Sequence, residues 1–320
     1  MRILVTGAAG FIGSHLCQAL LARGDEVVGV DNFDPYYDKA IKQANLANFA
    51  DTPGFTFFDV DLRDNSALDS FWDSCSPFDT VVHLAAKAGV RPSIADPVGY
   101  QVANILATNY LLEAMIRQTP PPKLVFASSS SVYGNCPTVP FAENAPVDLP
   151  ISPYAQTKKA GELLCHTYHH LHGLDVMALR FFTVFGPRQR PDLAIHKFTA
   201  SILAGKTIDK YGDGTTSRDY TYIDDIIAGV IAAINRCKGY KIVNLGSDTP
   251  VTLNEMIETI ESACGTPAVI NPMPAQPGDV DRTWANVDNA RSLLDYKPTM
   301  PFAEGVRRFV EWYKETNQTD

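Results

Sequence analysis

The feature that most constrains this chain stands at its start: an apolar run, Arg2-Ile3-Leu4-Val5-Thr6, leads directly into Gly7-Ala8-Ala9-Gly10-Phe11-Ile12-Gly13 and then into an amphipathic stretch. A strand-to-helix turn needs one glycine, and three are present. In strand, turn, helix order they permit a tight turn, close backbone approach to a pyrophosphate, and close packing of the helix on its strand. The spacing is G-x-x-G-x-x-G, a variant of the commoner fingerprint. A second run, 26–30, ends in Val30-Asp31, where a carboxylate can accept hydrogen bonds from a ribose diol. The reading is a dinucleotide site: Gly7, Gly10, Phe11, Ile12 and Gly13 at the pyrophosphate, Asp31 and Asn32 beside the ribose, and Asp61 and Leu62, after a third run, flanking the adenine. Asp31 would repel a 2′-phosphate, which favours NAD over NADP.

Short β-branched or aromatic runs at 2–6, 26–30, 55–59, 80–83, 124–127 and 176–180 alternate with amphipathic stretches at 11–23, 66–74, 98–117 and 153–172. That alternation predicts an α/β fold, a Rossmann-type doubly wound parallel sheet. Ser152-Pro153 marks a helix start and Gly173 its end. After Gly186-Pro187 the rhythm changes to isolated helices (194–204, 253–264, 302–316) with a Pro-rich connector at 271–278, which predicts a smaller C-terminal α/β substrate-binding lobe. The expected division is 1–182 for NAD binding and 183–320 for substrate, with segments near 218–248 returning to the first sheet through the strand-like 241–245.

A chain of 320 residues with 45% hydrophobic and 20% charged residues is that of a packed globular protein and not a disordered one. Its net charge of −9 argues against nucleic acid or membrane as an electrostatic partner. No apolar run reaches the roughly 18 residues of a membrane span, and a strand beginning at Ile3 leaves no room for a signal peptide, so a cytoplasmic protein is expected. The six cysteines are scattered without a C-x-x-C pair and read as packing residues. His166, His169, His170 and His172 cluster near one helix end, but no acid or cysteine completes a ligand set there, and no metal is expected.

Tyr154 and Lys158 stand four apart on one predicted helix and therefore on one face. Such a pair is commonplace until Leu124-Val125-Phe126-Ala127-Ser128-Ser129 is set beside it, a buried strand delivering hydroxyls to the carboxyl edge of the sheet, where open α/β folds bind ligands. A tyrosine hydroxyl with a pKa near 10 is a poor base at neutral pH; a neighbouring ammonium and a positive nicotinamide both favour its phenolate.

With these residues in place the chain resembles the extended short-chain dehydrogenase/reductases that act on nucleotide sugars. The resemblance runs through the glycine triad, Asp61-Leu62, His83-Leu84-Ala85-Ala86, Asn104, the segment 128–134, Tyr154-Ala155-Gln156-Thr157-Lys158, the segment 180–187 and Arg218-Asp219-Tyr220. It implies Tyr154 as base, Lys158 holding the tyrosine and the nicotinamide ribose, Ser129 on the reacting sugar oxygen, and Leu84, Ala85, Ala86 and Asn104 at the cofactor. Relatives that eliminate water or decarboxylate carry acids where this chain has Ser130 and Ser131. Neither acid is present, which leaves the minimal machinery of an epimerase with a retained NAD. Phe181-Phe182-Thr183 and the following Arg188-Gln189-Arg190-Pro191 are similar to members that epimerise UDP-glucuronate at C4. Thr183, Ser130 and Ser131 would then hold the hexuronate carboxylate, with Arg91 and Arg190 near the anionic substrate and Arg190 on its diphosphate or nucleoside. Arg218, Asp279 and Arg282 would grip the UDP, with Tyr211 near the uracil. The chain departs from many relatives at Gln276, Asp209 and Lys210.

Two other readings stay open on the sequence: a 4-epimerase of neutral UDP-sugars, and a noncatalytic NAD-sensing regulator, against which Ser129, Tyr154 and Lys158 argue. A homodimer pairing 98–117 with 153–172 is the default expectation from the family.

Overall fold

Successive side chains of a strand point to opposite faces, so a strand covered on both faces must be apolar throughout. The structure, a computed structural model, describes residues 1–274 and 280–317. The six apolar runs form β1 (Arg2–Thr6), β2 (Glu26–Asp31), β3 (Phe55–Asp59), β4 (Thr80–His83), β5 (Lys123–Ser129) and β6 (Val176–Phe181). Further along come β7 (Thr183–Phe185), β8 (Thr207–Tyr211), β9 (Ser217–Tyr222), β10 (Tyr240–Leu245), β11 (Pro250–Thr252) and β12 (Val269–Met273). Among the described residues the main sheet has seven strands, all parallel, in the order β10-β6-β5-β4-β1-β2-β3. The chain winds outward from β1 in one direction and then, from β4, in the other. The crevice between the carboxyl ends of β1 and β4 is therefore the topological switch point, where such sheets bind ligands.

Around the sheet lie α1 (Phe11–Ala22), α2 (Lys39–Ala47), α3 (Asn65–Cys75), α4 (Val90–Ala95), α5 (Pro97–Gln101), α6 (Ala107–Ile116), α7 (Pro153–His172) and α8 (Ala194–Leu203). The chain continues with α9 (Ile223–Arg236), α10 (Leu253–Cys264), α11 (Asp288–Leu294) and α12 (Phe302–Asn317). Ile3, Val5, Val82, Val125 and Leu179 pack with α1 and α9 on one face, while Leu4, Val81, Leu124, Phe126 and Ala178 pack with α3, α6 and α7 on the other. Adjacent residues of one strand thus feed two separate cores.

Three departures from the expected elements are informative. Residues 98–117 are one helical rod, but 102–106 form a wide π-helical turn between α5 and α6. The wide turn faces Asn104 inward, where its amide accepts from Lys87 N at 2.8 Å and donates to Lys87 O at 2.9 Å and Thr157 Oγ1 at 3.0 Å. The helix α9, not among the helices expected after Gly186-Pro187, packs on α1. In the span near 218–248, β9 pairs with β7 and β11 in a separate small sheet, while β10 is the seventh strand of the main one.

α7 runs close along β5 because Gly161 has no side chain: a Cβ there would lie 2.3 Å from Phe126 Cζ. Ser152 Oγ caps its start by accepting from Ala155 N at 3.1 Å, and Gly173 ends it in the left-handed region at φ 68°. Tyr154 is thereby held in the first turn, at the carboxyl edge of the sheet.

Candidate active site

The turn after β1 is decided by backbone sterics. Gly7 adopts φ +74°, and a Cβ on it would lie 2.9 Å from Ala85 N; on Gly13 it would lie 2.0 Å from Gly7 O. Only glycine fits either place, and the result is a bare cradle under the first turn of α1, whose N–H groups have no partner within the helix. Beside it Asp31, buried, accepts from Ala9 N at 3.2 Å and Phe33 N at 2.8 Å, with Lys42 Nζ 3.6 Å away. Asp61 is held down at about 2 by its hydrogen bond from Arg63, 2.6 Å away. The cradle and the paired carboxylate suit a dinucleotide diphosphate and its ribose.

The second turn follows β5. Ser129 Oγ accepts from Ser131 N at 3.2 Å, closing a 3-10 turn over Ser130–Tyr133. This leaves the Ser129 proton available as a donor. Lys158, buried, donates to Ala127 O at 2.8 Å with Nζ 5.9 Å from the Tyr154 ring centre, and burial lowers its pKa to about 8. Burial also pushes the Tyr154 hydroxyl up, opposed by its hydrogen bond with Ser129 and by the charge of Arg190. Arg190 is thus a cation that acts on Tyr154, which the spacing of Tyr154 and Lys158 does not reveal. It forks onto Asp192 at 2.9 and 3.0 Å and stands 5.4 Å over the Tyr36 ring.

A cleft of about 500 Å³ runs along this edge of the sheet. Gly7, Gly10, Phe11, Ile12, Gly13, Asp31, Asn32, Asp61, Leu62, Leu84, Ala85 and Ala86 line it on the β1–β4 side. Ser129, Ser130, Ser131, Tyr154, Lys158, Thr183, Arg190 and Arg218 complete it. Four expected contacts lie elsewhere. Asn104 is buried behind the wall, with its amide engaged by Lys87 and Thr157, so it holds the 84–87 segment without lining the cleft. Arg91 stands outside the wall, 5.6 Å over the ring of Tyr211, which is outside it too. Arg282 is exposed and bridges to Ser217. Asp279, and Gln276 with it, lie outside the described residues.

Sequence reasoning missed Tyr36, Lys42, Arg63, Lys87 and Thr283, all in the cleft wall. Lys42 carries a faint signal, since it lies on a helix capped by Asp38; the others come from loops with no local pattern. Six cationic side chains and three acidic ones line the cleft among the described residues, so a chain of net charge −9 concentrates positive charge here. The late histidines of α7 serve packing: His169 Nδ1 bonds Leu174 O at 2.8 Å, and His166 sits edge-on against Tyr240. Among the described residues no group of three candidate metal ligands occurs, and no helix is long and apolar enough to cross a membrane.

A seven-stranded sheet with its glycine turn at the switch point defines a Rossmann-type protein, and the serine turn, Tyr154 and Lys158 around the same cleft give it the outline of an oxidoreductase-type site. A family model described as NAD dependent epimerase/dehydratase matches residues 3–246, and the chain belongs to that family. A UDP-glucuronate 4-epimerase of Thermodesulfobacterium geofontis is 44% identical over 314 residues, spanning 98% of this chain and 96% of its own. A probable UDP-glucuronate 4-epimerase of Rhizobium meliloti is 40% identical over 334 residues, 98% and 97% of the two chains. The crystal structure of UDP-glucuronic acid 4-epimerase from Bacillus cereus, in complex with UDP-glucuronic acid and NAD, superposes with a TM-score of 0.92 at 38% identity, covering 99% of this chain and 100% of that one.

Proposed function

We propose that this chain is a UDP-glucuronate 4-epimerase, forming UDP-galacturonate through a 4-keto intermediate with tightly bound NAD. The relatives carry that activity in their names. The observation that carries the reading within this chain is the hydroxyl wall: Ser130, Ser131 and Thr183 line the cleft beside Tyr154, and Ser131 Oγ is buried without a hydrogen-bond partner. A buried hydroxyl left unsatisfied calls for a ligand. The acids lining the described cleft lie at the ends of β2 and β3, Asp31 closing β2, Asp34 following it and Asp61 following β3, so no carboxylate from the serine side repels a hexuronate.

NAD, when bound, accepts the hydride from C4 and returns it to the other face of the ketone. Tyr154 takes the C4 hydroxyl proton and gives it back, one base serving both directions. Ser129 donates to the reacting oxygen, and Lys158, held by Ala127 O, keeps a positive charge beside Tyr154. The intermediate is a β-keto acid, which loses CO2 when its C5–C6 bond aligns with the carbonyl π system. Hydrogen bonds from Ser130, Ser131 and Thr183 hold the carboxylate out of that alignment and stabilise its charge. Arg190 beside Tyr154 and Arg218 from β9 meet the anionic substrate.

Residues 1–182 with α9 and β10 serve NAD in this reading, and the rest of 183–320 serves the UDP-sugar. Exposed Val98, Leu106, Leu163 and Leu171 on the helical rod of 97–116 and on α7 suit a homodimer. The free, mostly buried cysteines suit the reducing cytoplasm. The test is incubation with UDP-glucuronate, UDP-glucose and UDP-N-acetylglucosamine without added oxidant. UDP-galacturonate is the expected product. Preference for a neutral sugar, or NADH formed mole for mole with product, would overturn the reading.

A further inference from the structure

Behind the serine turn lies an ion pair that the reaction does not use. Glu162 and Arg180 are each only 1% exposed, with Arg180 Nε 2.8 Å from Glu162 Oε1 and Nη2 2.9 Å from Oε2. Ser128 Oγ donates to the same Oε1 at 2.7 Å. The Arg180 guanidinium lies 4.8 Å over the Tyr133 ring, and the Tyr133 hydroxyl donates to Asn244 Oδ1 at 2.7 Å. Burial opposes the charge on Glu162, and Arg180 and Ser128 more than offset it, leaving its carboxyl below the ordinary value.

The placement of the pair matters more than its strength. Tyr154, Lys158 and Glu162 recur every four residues along α7, on one face. Ser128 and Arg180 are register neighbours across β5 and β6, and Thr183 follows Arg180 by three residues. Ser128 and Tyr133 bracket Ser129, Ser130 and Ser131. One carboxylate and one guanidinium therefore join the helix carrying the base, both ends of the serine turn, and the strand leading to Thr183. For stability alone an apolar pair of the same volume usually serves as well or better.

We infer that Glu162 and Arg180 are positioning residues, which hold the serine turn and Thr183 in register with Tyr154 and so set how much of the 4-keto intermediate is re-reduced and how much is lost by decarboxylation. The inference rests on the epimerase reading. It predicts a change in product ratio, which a smaller folded fraction cannot produce, because lost enzyme lowers both products alike.

The experiment uses the full chain as wild type, Glu162→Gln and Ser128→Ala. Glu162→Gln leaves a buried Arg180 without its counter-ion, whereas Ser128→Ala removes one donor and leaves the pair intact, so it decides the matter if the first variant does not fold. With UDP-glucuronate, CO2 and UDP-4-keto-pentose relative to UDP-galacturonate should rise about tenfold in Glu162→Gln, the scale of one lost hydrogen bond to a charged group, and a few-fold in Ser128→Ala. The KM should change little beside kcat. A wild-type product ratio in every variant that folds overturns the inference, whatever its rate. If wild type forms no UDP-galacturonate, it is the functional reading that falls. The same variants are then compared on the UDP-sugar that wild type does epimerise, by released 4-keto sugar and bound NADH per turnover: a rise supports positioning and no rise overturns it.

Discussion

Two turns at the carboxyl edge of one sheet do different work by different means. The glycine turn after β1 has its shape because nothing larger than hydrogen fits: Gly13 would place a Cβ 2.0 Å from a backbone oxygen. The serine turn after β5 ends in a glycine of its own, Gly134 at φ +53°, but a Cβ there would meet no atom closer than 3.4 Å. Its shape comes from side chains supplied by α7, β6 and β10, through Glu162, Arg180 and Asn244. A site made by backbone exclusion tolerates no substitution and binds a group common to many proteins. One made by side-chain ties can change its chemistry residue by residue.

The sharpest break is Gly13→Ala. Because the neighbour it meets is backbone, overpacking should remove at least about 1 to 3 kcal/mol of stability and abolish cofactor retention; thermal melting and the nicotinamide content of purified protein check both. Tyr154→Phe, on α7 beside the other turn, should lose roughly 10² to 10⁴ in turnover while melting and nicotinamide content stay at wild-type values. Unchanged turnover would remove Tyr154 from the role of base. Thr183→Ala and Ser130→Ala should sharpen the contrast further: each removes a hydrogen bond to a charged group, so the ratio of decarboxylation to epimerisation should rise by about one to two powers of ten, read as CO2 against UDP-galacturonate. Equal ratios in variant and wild type would show that these hydroxyls do not hold the carboxylate.

An effect confined to acid pH, and absent near neutrality, concerns what lies under the glycine turn. His83 is buried between Thr6 Oγ1 at 2.7 Å and Thr108 Oγ1 at 3.0 Å, and burial, aided by the charge of Lys158, lowers its pKa from 6.5 to about 3. The folded state then binds fewer protons than the unfolded chain between those values. Stability should therefore fall as pH drops below 6.5, by up to about 1.4 kcal/mol per pH unit from this group, and stop falling on its account near its folded value. Denaturant midpoints from pH 7 to 4 measure it, and His83→Gln should show a shallower slope.

The main sheet strands, the glycine cradle with Asp31, and the candidate hydroxyl and base were legible in the residues alone, because each rests on a local rule. Short continuous apolar runs mark strands buried on both faces, triads of glycine mark a steric exclusion, and a spacing of four places Tyr154 and Lys158 on one helix face. Even the switch of rhythm after Gly186-Pro187 was legible in composition. Only the packed structure shows what the side chains do with one another across 17 to 154 positions of chain. It turned Asn104 away from the cleft to hold Lys87, set Arg91 against Tyr211, brought Arg190 and Tyr36 to Tyr154, and closed Glu162 on Arg180 and Ser128. No local pattern encodes those meetings. They depend on which faces of α7, β5 and β6 pack together, and that is settled by the burial of whole elements and not by any motif within one.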